Sequence, residues 1–148
     1  MPETLSAAIA EFSAALDRAA TELPNYQHPS NPVAGGWSQK QILGHLIDSA
    51  SNNHQRFVRA QLAKEHASPG YTQEEWVATQ GYQNREWKDL IELWLVYNQH
   101  LLHLMKTVPA EHLSSKIRIR DAEPVTLEFV MVDYVDHLMH HLRQMRSE

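Results

Sequence analysis

The sequence predicts an all-α fold, a four-helix bundle, on three observations. Four stretches carry apolar residues at helical spacing, each long enough for a helix of roughly 20 to 30 residues. The five Gly and seven Pro fall mainly between those stretches rather than within them. The length, 148 residues, suits one domain with an ordinary core, here taken as residues 1–148. No internal repeat or low-complexity tract divides the chain.

In order, Leu5, Ala8, Ile9, Phe12, Leu16, Ala19 and Leu23 form a stripe that stops at Pro24. Residues 24–36 read as a loop, with Pro24, Pro29, Pro32, Gly35 and Gly36. Ser38 and Gln41 make a capping-box signature for a second helix. That helix runs through Ile42, Leu46, Ala50, Phe57 and Leu62 to about His66. Residues 67–84 are a long connector, broken at Pro69-Gly70, with a short helix after Thr72 and Glu75 as its capping partner. The third long helix spans about Glu86 to Val108, with Leu90, Trp94, Tyr97, Leu101, Leu104, Met105 and Val108 on one face and Pro109 at its end. Residues 114–125 are irregular, although Lys116–Arg120 alternates as a short strand would. The last helix begins near Thr126 and carries Leu127, Val130, Met131, Tyr134, Leu138, Leu142 and Met145.

Composition removes several functions. A formal net charge of −5 and the lack of a basic run argue against a nucleic-acid partner. Cys is absent, which excludes disulfides, thiolate metal sites and a Cys nucleophile. No apolar run is long enough to span a bilayer and the N-terminus lacks a signal pattern, so no membrane association and a cytoplasmic location are expected. Histidine stands out: ten are present, where average usage gives about three to four.

His137 and His141 are four apart, so on a helix they point the same way, about 6 Å apart along the axis. Two imidazoles so placed suit one metal ion. Spacing alone carries little, since ten scattered His give about 0.7 such pairs by chance. Position carries more. Both fall in the arc of the last helix's apolar stripe, with His140 toward the flank. Inward imidazole nitrogens need partners: a metal ion is one, and hydroxyls, carbonyls or water in a packed core are the alternative. His45, beside Leu46 and one turn from Ile42, offers a third ligand. It lies about 10 Å from the start of its helix, and His141 a similar distance from the end of the last. They meet at one level only if helices two and four are antiparallel. That requires a crossover through residues 67–84, and the topology up-down-down-up.

The stretch Gly36-Trp37-Ser38-Gln39-Lys40-Gln41-Ile42-Leu43-Gly44-His45-Leu46 resembles the start of the second helix in the DinB-like (damage-inducible, YfiT-like) superfamily. Asp133 to Gln144, with the pattern H-x-x-H-H-x-x-Q, resembles that family's last helix. The resemblance covers essentially the whole chain. It implies an up-down-down-up bundle holding nickel or zinc with one His from the second helix and two from the last, here His45, His137 and His141. Some members lose this triad; here it is intact. Members with assigned chemistry include thiol-dependent transferases and a mycothiol-dependent maleylpyruvate isomerase, and others are classed as metal-dependent hydrolases without a substrate. The resemblance also implies a homodimer.

Three imidazoles leave open coordination positions, as in a catalytic site. Water there gains acidity, and a low-molecular-weight thiol could bind as thiolate. The expected function is thus a metal-dependent hydrolase or thiol-dependent transferase acting on a small-molecule substrate. The competing readings are a non-catalytic metal- or small-molecule-binding stress protein, and a bundle whose histidines merely pack. An open pocket beside the triad favours the enzyme. Asp48, one turn from His45, and Asp133 and Asp136, near His137, are candidate partners for ligand imidazoles; the ordinary place for such acids is a solvated face. Asn52, Asn53 and Arg56 follow His45 and suit a pocket mouth, where Arg56 would receive a carboxylate or join a surface ion pair. Trp94, Tyr97 and Tyr134 suit a cavity wall or the core. His28, His54, His66, His100, His103 and His112 read as surface residues, with His103 a candidate additional ligand.

Overall fold

The computed structural model describes residues 4–34 and 36–146. Gly35 of the first loop, and residues 1–3 and 147–148 of the single-domain span, lie outside the described residues. Helix α1 (Leu5–Glu22) starts on Thr4, whose hydroxyl accepts from the Ala7 amide at 3.1 Å. It buries Leu5, Ala8, Phe12, Ala15, Leu16 and Ala19, and runs into a 3₁₀ turn at Leu23–Asn25, where Pro24 cannot continue an α-helix. Helix α2 (Gln39–Leu62) opens with a complete capping box. The Ser38 hydroxyl accepts from the Gln41 amide, and the Gln41 side chain accepts from the Ser38 amide at 2.9 Å.

α2 ends at Leu62, short of the expected His66, because the chain turns into a strand, β1 (Glu65–Ser68). There the backbone exchanges its helical bonds for a ladder with β2 (Lys116–Ile119), which is parallel and in register from Glu65↔Lys116 to Ser68↔Ile119. β3 (Val125–Thr126) pairs antiparallel with β2, completing a small sheet at one end of the bundle. The alternating segment is thus a strand over Lys116–Ile119, with Arg120 turning out of it at φ +55°, and β1 and β3 are additions to the expected fold.

The crossover contains α3 (Gln73–Gln80), closed by Gly81 in the left-handed conformation at φ +64°. Thr72 does not cap its backbone; its hydroxyl instead donates to the Glu75 carboxylate at 2.9 Å. α4 (Trp87–Thr107) and α5 (Leu127–Arg146) complete the bundle, and α1 and α2 each pack against both.

Directions follow from contacts at the ends. The Trp87 indole N–H at the start of α4 donates to the Leu23 carbonyl just past α1 at 2.7 Å, so α1 and α4 are antiparallel. Arg146 in α5 pairs with Glu22 in α1 at 2.9 Å, so those helices are parallel. The side-chain amide of Gln39, the first residue of α2, donates to the Met145 carbonyl near the end of α5 at 3.0 Å, so these two are antiparallel. The topology is up-down-down-up, and the crossover returns along the bundle to lay Tyr82 against Gly44. At mid-height Tyr134 packs edge-on against Phe12 and Phe57, with ring centroids 5.9 and 5.7 Å away, and donates its hydroxyl to Asn98.

Candidate metal centre

Residues 42–50 of α2 are all buried, polar ones included. A bundle helix normally keeps one face wet, but here the returning crossover covers the outer face. Gly44 permits this. A Cβ at that position would lie 2.1 Å from Cδ2 of Tyr82, so only glycine lets the ring lie across the helix. The Tyr82 hydroxyl then donates to Asp48 Oδ1 at 2.6 Å, and the Gln80 amide donates to the same oxygen at 2.8 Å.

On the inward face the three predicted histidines come together. His45 is 1% exposed, and its Nε2 lies 3.2 Å from Nε2 of His137, which lies 3.1 Å from Nε2 of His141. Among the described residues this is the one group of three His, Cys, Asp or Glu side chains able to hold a metal ion. Zinc–imidazole bonds of about 2.0–2.1 Å place neighbouring nitrogens of a tetrahedron about 3.3 Å apart, so the spacing fits a common ion. Burial, reinforced by the neighbouring imidazoles, pushes the pKa of His45 down to about 3 and that of His137 to about 4. Burial also lowers His141, against its bond to Gln144. At neutral pH all three rings are uncharged nitrogen donors.

Their outer contacts differ. Nδ1 of His141 lies 2.6 Å from Oε1 of Gln144, an acceptor, so Nδ1 carries the proton and the Nε2 lone pair faces the centre. The indole of Trp37 packs on the His45 ring with centroids 5.3 Å apart. Nδ1 of His45 and Oδ2 of Asp48 are buried without partners. Asp48 is therefore no solvated acid and does not bond His45 directly; burial raises its pKa, opposed by its bonds from Tyr82 and Gln80.

Beside the triad lies a cavity of about 350 Å³ lined by Ser49, Asn53, Arg56, Tyr71, Asp133 and His137, among others. Asp133 stands one turn before His137 and is exposed, on the solvated face ordinary for such an acid; partial desolvation at the cavity and Asp136 hold its carboxyl above the usual range. Arg56 is buried rather than at a surface ion pair, while Asn52 is half-buried and bonds the Asp48 carbonyl. Trp94 is core, Tyr134 joins the core to the cavity, and half-buried Tyr97 bonds His54 at 2.8 Å. His103 is exposed and stacks on His100, apart from the triad. His54, His66 and His112, expected on the surface, are half-buried, while His28 and His100 are exposed.

Several contributors escape a reading of the sequence. Gln144 had a signal, being one turn after His141 on the same face. Gln80 and Tyr82 had none, because only the path of the crossover brings them to Asp48.

Compared with known proteins, the chain matches the DinB superfamily over residues 4–145. It belongs to the DinB superfamily. Among solved structures, YfiT from Bacillus subtilis superposes on this superfamily member with a TM-score of 0.79 and 23% sequence identity, covering 94% of this chain and 80% of YfiT. YfiT is described as a probable metal-dependent hydrolase with an unusual four-helix bundle topology. At that identity the likeness establishes the fold. No curated protein matches the chain. No helix among the described residues is long and apolar enough to cross a membrane.

Proposed function

We propose that this DinB-superfamily chain is a metal-dependent hydrolase of a small-molecule substrate, with His45, His137 and His141 holding one nickel or zinc ion. The observation that carries the reading is the convergence of three neutral Nε2 atoms beside an open cavity. A packed core would fill that space, and a purely structural metal site would be closed. A divalent ion supplies Lewis acidity there, polarising a carbonyl or phosphoryl oxygen and making water more acidic. The chain supplies the rest. Gln144 fixes the tautomer of His141, Trp37 and Tyr82 shield the buried end, and Asp133 sits in the cavity wall with a carboxyl that holds a proton more readily than usual. That placement suits it to carry a proton to a leaving group.

The same open face suits a low-molecular-weight thiol as cosubstrate, and since the chain has no Cys the thiol would come from solution. Metal content by mass spectrometry, on untagged wild type and His141→Ala, tests the site. Near-stoichiometric metal lost in the variant is expected. Wild type that takes up neither nickel nor zinc would overturn the reading. Hydrolysis of ester and amide panels, with and without added thiols, then separates the two chemistries.

A further inference from the structure

Hydrolysis at the triad gives no task to Arg56, the cation at the other side of the cavity. Arg56 lies on α2 eleven residues after His45, three turns along the same face and about 16 Å further down the axis. It is 8% exposed. Its Nε donates to the Ser68 hydroxyl at 3.0 Å and its Nη1 to Asn53 Oδ1 at 3.3 Å, both neutral acceptors. The ion pairs among the described residues, Arg18–Glu22 and Arg146–Glu22, do not include it. A guanidinium stays charged in any protein environment, and a buried charge without a counterion is destabilising. Arg56 nonetheless stands in a cavity wall, held by the end of β1 through Ser68, and burial lowers its pKa.

Of the five N–H donors of a guanidinium, the two bonds to Ser68 and Asn53 occupy one each and leave three. Those three sit on the two terminal nitrogens, the edge that grips a carboxylate in bidentate fashion. The charge also limits the ligand. Arg56 offers one buried positive charge, while the other two charged residues of the lining, Arg120 and Asp133, are exposed and of opposite sign. A cavity of about 350 Å³ is near the lower end of small-molecule pockets.

We propose that Arg56 anchors a carboxylate, so that the cavity takes small monocarboxylic acids whose reacting group lies at the histidine triad. The second half of this statement rests on the metal-dependent reading; the anchor itself does not need the ion.

The test uses the full chain freed of metal, so that direct carboxylate–metal contact cannot contribute. Phenylacetate and phenylacetamide, matched in shape but not in charge, are titrated while the Arg56 Nε–H signal is followed by NMR. Saturable movement of that signal with phenylacetate and not with the amide is expected. In Arg56→Met, phenylacetate affinity followed by backbone amide signals should fall about tenfold to a hundredfold. Equal binding of acid and amide, no saturable binding of phenylacetate, or an Arg56→Met affinity within about twofold of wild type would each overturn the anchor. Tighter binding of phenyl phosphate than of phenylacetate would overturn the choice of carboxylate. If Arg56→Met does not fold, the wild-type pair of ligands decides. Metal uptake is measured in parallel: phenylacetate selectivity in a protein that takes up no ion upholds the anchor and overturns only the enzymatic reading.

Discussion

Two groups of three histidines each take one member from α2 and a closely spaced pair from a second helix, and they differ in almost everything else. His45 on α2 meets His137 and His141, an i,i+4 pair on α5. Further along α2, His54 faces His100, which stacks on His103, its i,i+3 neighbour on α4. In the first group the ring centroids are 4.5–5.0 Å apart and the Nε2 atoms converge. In the second they are 5.3 and 6.2 Å apart, His54 spends Nδ1 on the Tyr97 hydroxyl, and His100 and His103 face water. Spacing along a helix therefore brings side chains to one face but does not make a centre. Convergence away from water does: His45 is buried, His137 and His141 are half-buried, and their Nε2 atoms face one another with no other partner but an ion.

The sharpest way to break the comparison is to remove one ring from each group. His141→Ala should weaken nickel or zinc binding more than about a hundredfold, beyond the loss an outer partner causes, whereas His103→Ala should leave it within about twofold; competitive chelator titration reads both. Equal losses would mean that the converging group is not the site.

Acid comes next. In the metal-free protein the folded-state pKa of His45, about 3, lies below the unfolded value near 6.5. Between those values the unfolded chain binds a proton that the folded chain refuses. Stability should therefore fall as pH drops from 6.5 towards 3, by about 2 kcal/mol from His45 alone at pH 5. Denaturant melts of metal-free wild type and His45→Gln measure it, and the variant should show the shallower pH dependence.

Gly44→Ala should cost about 1.5 kcal/mol, since the added methyl must displace the Tyr82 ring. Thermal melts would show it, and loss of the Asp48–Tyr82 bond should accompany it. Gln144→Ala should have the smallest effect, about tenfold in metal affinity with unchanged melting, because it frees the His141 tautomer without removing a ligand.

Much of this was legible in the sequence. The four long helices, the capping box at Ser38 and the three inward-facing histidines follow from periodicity and position, and the need to bring His45 level with His141 implied the crossover. The sheet was harder to see. Glu65–Ser68 alternates in burial, with His66 and Ser68 turned inward, but neither of these is apolar, so its pairing with β2 is a product of topology, not of local pattern. Asp48, Arg56 and Asn98 were hard for a different reason. A polar residue on a helix reads as solvated unless something known to lie outside covers it, and here the cover is a crossover, a strand end or a neighbouring tyrosine.

The crossover also decides when the centre can exist. His45 and His137 are 92 positions apart, and even the strands beneath the bundle join residue 65 to residue 116. Contacts of such long range form late, after the loops between them have closed. No partly folded form that lacks α5 against α2 presents three imidazoles to one ion. An ion that binds there acts on the rate at which the chain leaves its native state, rather than on the rate at which it arrives.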